Sequence, residues 1–495
     1  MGSVAVIGSG AAGLAAALTA ANAGAEVTVY ESAERIGGTT ALSGGNAWLP
    51  ANEWLSDDSP ELALSYLRSL ALGDFDERLV EVFVREAGPT AARIERETAL
   101  RWQPLAYPDY HSEFDGGRAS GGRTLEPKPY SAQASTDELI RPAPNVTAPV
   151  TYAELVSGEI DRDLIAARRA DGVLTLGRAL LAGLLEAGLE AGVKLQLGVR
   201  VRELPAADAT VLASGGFERD RRLVAAFLRG PIGTPIGVPG AQGDGLRMAM
   251  AAGAELGCMS EAWWCAAIEI PGESIDGAPL ARLMLTERAR PGCIVVDKSG
   301  RRFANEAQNY NDFGRSLQDF DAAAYAFSHV PAWMIFDGSY RSRYRLGPLS
   351  PRDADPAWLS KAGTPEELGR EIGVDGDALA QTIERFNDDA ARGLDRELGR
   401  GSYAYDRFIG DLGPLREAPY YALRIVPSCL GTKGGPRTDS CGRVLSVASG
   451  KPIRGLYAAG NAAASPFGLA YPGAGGTLGQ ALVFGMRAGE AAATD

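Results

Sequence analysis

Residues 3–31 read SVAVIGSGAAGLAAALTAANAGAEVTVYE, and the order of residue types in this stretch decides the fold. An apolar strand, Val4 to Ile7, runs into Gly8-Ser9-Gly10-Ala11-Ala12-Gly13. An alanine-rich helix follows, then a second apolar strand, Val27 to Tyr30, which ends on Glu31. A GxGxxG pattern indicates a dinucleotide site only in such a strand–turn–helix–strand setting. Gly8 allows the tight turn, Gly10 lets the backbone approach a pyrophosphate, and Gly13 lets helix and strand pack closely. Ala11 and Ala12 open the helix, whose unpaired N–H groups form the positive end of its dipole. Glu31 stands 18 residues beyond Gly13, where a carboxylate accepts from a ribose hydroxyl.

Composition narrows what this unit serves. The chain has 495 residues, 45% hydrophobic and 22% charged, enough for a large core and more than one domain. A formal net charge of −13 without basic runs argues against nucleic acid or an anionic membrane surface as partner. Five cysteines without a CxxC pair read as reduced thiols, and two histidines, His111 and His329, make a metal site unexpected. The first strand begins at Val4, which leaves no room for a leader, and no apolar run nears the ~20 residues that span a bilayer. A cytoplasmic protein without a membrane span is expected.

The next segment, RIGGTTALSGG at 35–45, bears on which dinucleotide is bound. It resembles the second FAD-contact loop of the fumarate reductase and succinate dehydrogenase flavoproteins. That resemblance assigns Gly38, Thr39, Thr40, Ser43, Gly44 and Gly45 to FAD. A helix is expected over 174–192 and a strand over 193–197. A further strand, 209–213, leads into SGGF at 214–217, a second close approach to the flavin. GDG at 243–245 opens a helix, 246–254, at the nucleotide pocket. Val201, Ala213, Ser214, Gly215 and Asp244 join the cofactor set here, and Gly460 and Asn461 join it where βα character resumes in IRGLYAAGN at 453–461. The expected fold is an α/β, Rossmann-like FAD-binding domain of the fumarate reductase (GR2) type, interrupted by an inserted α+β catalytic domain. The FAD domain covers 1–258 and 428–495, and the insert, with mixed short elements, covers 259–427.

Two segments separate the branches of that superfamily. Fumarate reductases carry a catalytic arginine four residues after the glutamate of an RF-x-NE segment. In GRRFANEAQNYNDFG, at 300–314, the residue four beyond Glu306 is Tyr310. Their C-terminal segment carries a His and an Arg for the substrate carboxylate, where this chain reads FGLAYPGAGG. The chain instead resembles the 3-ketosteroid Δ1-dehydrogenases over nearly its whole length. The resemblance rests on YPDYH at 107–111, MSEAWW at 259–264, RRFANEAQNY at 301–310, AYDRF at 404–408, LGTKGGPRTD at 430–439 and YPGAGGTLG at 471–479.

That resemblance implies a reaction and its residues. Tyr471 and the Gly475 N–H hold the ketone oxygen, Tyr310 takes the α-proton, and Tyr110 supports Tyr310. Gly476, Thr477 and Leu478 meet the flavin. A phenol titrates near ~10, so Tyr310 needs an acidified C–H and a stabilised phenolate. Donors aimed at the developing enolate supply the first, and a hydrogen bond from Tyr110 supplies the second. The expected site assembles where the two domains meet. Gly38 stands where covalent flavoproteins of the superfamily have histidine, so the FAD is expected to be non-covalent. The expected partners are an apolar ring ketone or steroid and an external electron acceptor, quinone-like or a redox protein. A desaturase of smaller ring ketones, of the cyclohexanone dehydrogenase kind, is the alternative. A fumarate reductase-type enzyme and a non-catalytic flavoprotein come behind it. Tyr107, Tyr130, Tyr420 and Tyr421 read as packing or substrate wall, and the arginines at 219, 221, 222, 341, 343 and 345 as solvated.

Overall fold

A computed structural model of the protein describes residues 2–73, 75–146 and 148–495. Two compact units emerge. One comprises Met1–Leu228, Gly237–Ala262 and Gly431–Asp495, and the other Arg229–Ile236 and Trp263–Leu430. The crossings therefore fall at 262/263 and 430/431 rather than 258/259 and 427/428. Residues 229–236 also pack with the second unit, for a local reason. Gly233 N and Ile236 N donate to Pro427 O (2.8 Å) and Cys429 O (3.0 Å), and Ser428 Oγ donates to Thr234 O (2.7 Å).

In the first unit the main sheet uses β1 (Ser3–Ile7), β2 (Glu26–Tyr30), β3 (Lys194–Gln196), β4 (Ala209–Leu212), β5 (Arg443–Leu445) and β6 (Pro452–Ala458). Their order is β5-β6-β4-β1-β2-β3. Every neighbouring pair is parallel except β5 with β6. Central strands of a parallel sheet are covered on both faces, and Val4, Val6, Val211 and Leu212 are accordingly all buried. The helix expected over 174–192 runs Leu176–Glu190, because Val173–Leu174 pairs as a strand with Tyr130–Ser131.

Four helices of this unit bear on the site: α1 (Ala11–Asn22), α2 (Tyr152–Ser157), α3 (Asp244–Ala251) and α4 (Gly476–Thr494). A glycine seam joins α1 to α4. A Cβ on Gly485 would stand 2.6 Å from Ala12 O, and one on Gly489 would stand 2.2 Å from Ala16 O. Both contacts advance by four residues along each helix, so the helices run parallel. Because α4 starts nine residues before Gly485 and α1 one before Ala12, the start of α4 leads by about 12 Å at 1.5 Å per residue.

The second unit is built on six strands in the order Ala278–Leu283, Ala262–Ile275, Tyr420–Thr432, Ala332–Phe336, Cys293–Asp297, with Ser360–Ala362 also paired to Tyr420–Thr432. Two of these strands, of 14 and 13 residues, are longer than the short elements expected. One apolar cluster gathers Val295, Phe313, Met334, Phe336 and Leu423, and the other packs Ile294, Ile335, Leu379, Ile383 and Phe386. Arg341, expected to be solvated, is buried and donates to Asp355 Oδ1 (3.0 Å), Ser350 O (2.9 Å) and Asp353 O (2.7 Å).

Candidate active site

At the nucleotide end, each glycine of the first motif has its own geometric reason. Gly8 has φ 106°, and a Cβ there would lie 2.5 Å from Ala213 O, while one on Gly13 would lie 2.0 Å from Gly8 O. Gly10 differs: its nearest neighbour would be Thr40 Oγ1 at 3.5 Å. Gly38 and Gly215 are half-buried, yet nothing lies within 4 Å of where their Cβ atoms would be. A cradle of bare backbone is left around the start of α1, which has no side-chain cap. Thr40 Oγ1 accepts from Ala11 N (3.1 Å), Thr40 O from Ser43 Oγ (2.7 Å), and Ser43 Oγ from Gly45 N (3.1 Å). Thr39 Oγ1 accepts from Val238 N (3.2 Å). Glu31 accepts from the Ser9 hydroxyl (2.6 Å) and Ala33 N (2.9 Å), and the Ser9 oxygen in turn accepts from Gly37 N (2.9 Å).

The remaining cofactor candidates surround the same sheet ends. Ala213 N bonds Ile7 O (2.9 Å), Ser214 Oγ accepts from Gly245 N (3.1 Å) in α3, and Val201 packs on the core beneath β1 and β4. Asp244 does not offer a free carboxylate. Arg200 holds it through two contacts of 2.8 and 2.9 Å. Gly460, at φ 65°, lies against Ala12, and a Cβ on Gly431 would strike Asn461 Nδ2 at 2.3 Å.

At the start of α4 the tyrosines gather. Gly475 is the N-cap at φ 91°, without a side-chain cap, and a Cβ there would stand 2.2 Å from Asn46 O. A Cβ on Gly476 would collide with the Tyr471 ring at 2.8 Å, so that ring lies directly over the first residue of the helix. Thr477 and Leu478 complete the first turn. The Tyr110 and Tyr471 rings meet edge to face at 5.3 Å, and Tyr110 N donates to Pro472 O (3.1 Å). Tyr66 donates its hydroxyl to the same carbonyl (2.7 Å).

Beneath these rings lies a buried ionic support that sequence reasoning did not find. Asp109 accepts from Trp48 Nε1 (2.7 Å), Arg118 N (3.0 Å) and Arg123 Nη1 (2.8 Å), and Arg123 also pairs with Asp58 (2.6 Å). Burial pushes the Asp109 carboxyl up to about 6, against the pull of Arg123 and the three donors. Lys433 is fully buried, and its ammonium donates to the carbonyls of Gly468 (2.9 Å), Leu469 (3.0 Å) and Ala470 (2.9 Å), immediately before Tyr471. A signal was present in both cases, since a charged residue within an apolar or glycine-rich run is a candidate for a buried tie.

Tyr310 belongs to the second unit. It opens the helix Tyr310–Ser316, whose N-cap Asn309 accepts from Asn311 N and Asp312 N (both 3.1 Å). Arg288, buried and 4.6 Å from the Phe313 ring centroid, donates to Glu306 O and, at 2.8 Å, to Gln308 O. Arg302 of the RRFANE segment grips Glu306 (2.6 Å) and Asp395 (2.8 Å), with its side chain 1% exposed. That arginine is committed to the protein.

The family model described as "FAD binding domain" matches residues 3–478. The chain belongs to this FAD-binding family. It is an FAD-dependent dehydrogenase, related over its full length to 3-ketosteroid dehydrogenases. It is 39% identical to the 4-oxocyclohexanecarboxylate 2-dehydrogenase of Sinomonas cyclohexanicum, across 98% of this chain and 92% of that protein. Identity to the 3-oxosteroid 1-dehydrogenase of Mycolicibacterium smegmatis is 35%, across 98% and 96%. The 3-ketosteroid Δ1-dehydrogenase of Sterolibacterium denitrificans, solved with 1,4-androstadiene-3,17-dione, superposes with a TM-score of 0.92 at 34% identity, covering 100% of both chains.

The residues fit FAD. The space left at Gly10, Gly38 and Gly215 beside the start of α1 suits a pyrophosphate, and a ribose hydroxyl at Glu31 would replace one of its long 3.2 Å donors, Ser9 N or Ser32 Oγ. The start of α4, about 12 Å ahead along the seam, carries a second set of helix N-terminal N–H groups that could meet another part of the cofactor. Among the described residues no cluster of His, Cys, Asp and Glu could hold a metal, and no helix is long and apolar enough to cross a membrane.

Proposed function

We propose that this protein introduces a double bond α,β to the carbonyl of a ring ketone, with a 3-ketosteroid desaturated at its 1,2-bond as the leading substrate. One observation carries the reading: the Tyr471 ring lies over Gly476 at the start of α4, beside the N-cap Gly475. A phenol and a helix N-terminal N–H held this close are donors of the kind that stabilise a developing enolate oxygen. In this mechanism Tyr471 and Gly475 hold the ketone oxygen and thereby acidify the α-C–H. Tyr310, as phenolate, receives the α-proton, and Tyr110 keeps the phenol set ordered. Bound FAD supplies the acceptor for the hydrogen that leaves the β-carbon as hydride. A quinone-like or protein acceptor then takes the two electrons away. The FAD is held non-covalently.

A second substrate reading, a monocyclic ketone, has its own support. The 39%-identical relative is named for a 4-oxocyclohexanecarboxylate. The commitment of Arg302 to Glu306 and Asp395 removes the arginine of that motif as a carboxylate anchor, so a ring acid would need another cation. The test common to both readings is anaerobic bleaching of the flavin by a panel of steroid and monocyclic ketones. Bleaching by a ring ketone, with the enone as product, is the expected result. An unbleached flavin throughout the panel would remove the reading.

A further inference from the structure

The short helix α2 poses a problem that the mechanism above does not use. It has six residues, none of them buried, and Leu155 and Val156 are exposed at 50% and 44%. A helix this short has no stability of its own, and only its first turn is even partly covered. Its start is nevertheless held tightly. Thr151 and Glu154 form a reciprocal capping box. Glu126, fully buried, accepts from Tyr152 N (2.6 Å), Ala153 N (2.9 Å) and Gln103 Nε2 (2.6 Å). Sinking a carboxylate is costly even with three donors, and burial raises the Glu126 carboxyl above its ordinary value. What this anchoring fixes is the first residue of the helix, Tyr152.

The Tyr152 ring is partly exposed, and its hydroxyl end is buried. Its centroid lies 5.8 Å from that of Tyr107, tilted by 49°, and Tyr107 in turn lies 6.5 Å from Tyr110. A Cβ on Gly44 would stand 3.2 Å from the Tyr152 ring. Burial first, then the neighbouring Tyr107 phenol and Tyr471, hold the Tyr152 hydroxyl well above the usual phenol range. A neutral phenol and an aromatic face are therefore fixed at the outer end of a run of rings that leads through Tyr107 and Tyr110 to Tyr471.

We propose that Tyr152 is a wall of the ketone site and limits how large a ring system can sit against Tyr471. The inference rests on Tyr471 holding the ketone oxygen. It makes Tyr152 a specificity-determining residue rather than a catalytic one. Removing the ring should lower turnover of small ketones, which lose a packing surface, and spare or help fused ones.

The test measures kcat/KM of the holoenzyme for ketones of one to four fused rings, in wild type, Tyr152→Phe, Tyr152→Leu and Tyr152→Ala. In Tyr152→Ala the four-ring to one-ring ratio should rise by about tenfold or more, the scale on which pocket volume discriminates substrates. Tyr152→Leu should fall between, and Tyr152→Phe should keep the wild-type profile, with FAD content unchanged in all three. An unshifted profile in Tyr152→Ala and Tyr152→Leu would overturn the proposal, as would an equal shift in Tyr152→Phe. Loss of FAD from Tyr152→Ala would assign the ring to the cofactor and overturn it too. The outcomes separate the two readings. Wild type inert toward every ketone removes the ketone reading and this proposal with it, whereas an active wild type with an unmoved profile removes only Tyr152.

Discussion

Tyr471 and its glycines set the terms at the scale of the residue. With Gly476 under the ring and Gly475 at φ 91°, neither position accepts a side chain without moving the phenol or the backbone at Asn46–Ala47. The resemblance singled out Gly475 and Gly476, but not the close backbone and ring that hold them. The means by which each tyrosine is held was not legible, because the ties come from far away in the chain: Arg123 to Asp109 beside Tyr110, Arg288 to the carbonyls before Tyr310, Lys433 to those before Tyr471. The three tyrosines should differ in effect. Tyr310→Phe removes the proton acceptor, and single-turnover flavin reduction should slow by ~10²–10⁴-fold. Tyr471→Phe should slow it severely and weaken binding of phenolic product analogues, which place charge where the enolate forms. Tyr110→Phe should do less. Stopped-flow bleaching of each variant checks this, and near-wild-type reduction in Tyr310→Phe would refute the mechanism.

Among elements, the informative object is the parallel pair α1 and α4. The sequence marks both as helices, and alanines and glycines at every fourth position hint at a close seam. Which helix meets which could not be read, because the partners lie more than 450 residues apart and periodicity carries no information on pairing. The distances leave no room for a methyl group at Gly489, where a Cβ would stand 2.2 Å from Ala16 O. Gly489→Ala must part the helices, and overpacking of this kind costs about 1–3 kcal/mol. A lower Tm and a raised Kd for FAD are expected, measured by thermal scanning and by titration of the apoprotein. An unchanged FAD affinity would show that the seam does not carry the alignment of the two helix starts. The long strands of the second unit escaped the sequence for a related reason: residues such as Pro271, Gly272 and Pro427 break the alternation that betrays a strand.

For the whole molecule, buried carboxyls with raised pKa make stability depend on pH, Asp109 and Glu218 among them. Burial pushes the Glu218 carboxyl up to about 7 from an ordinary 4.5, against its own N–H, that of Thr432 and the charge of Arg219. Between those values the folded protein keeps a proton that the unfolded chain has lost. The stabilisation is thus full below pH 4.5 and disappears as pH rises through 7, on the order of 3 kcal/mol in total. Glu218→Gln should flatten the fall in Tm between pH 5 and pH 8. A wild-type-like slope in that variant would assign the pH dependence elsewhere. Cofactor attachment is also a property of the whole. Acid precipitation should release all flavin to the supernatant, because Gly38 offers no side chain for a covalent bond, and colour in the washed pellet would contradict this.

The glycine seam also constrains how the chain is made. Because α1 lies against α4 and β4 pairs with β6, the nucleotide unit is unfinished until the segment Gly431–Asp495 has been synthesised. At roughly 10 residues per second the ribosome takes on the order of a minute to get there. During that time the alanine face of α1 and one edge of β4 lack their partners, while the second unit has everything it needs to fold. A polypeptide arrested before Gly431 would therefore carry a folded insert on an open sheet that cannot retain flavin, a ready client for chaperones. Loading of the cofactor falls to the time after that segment has emerged.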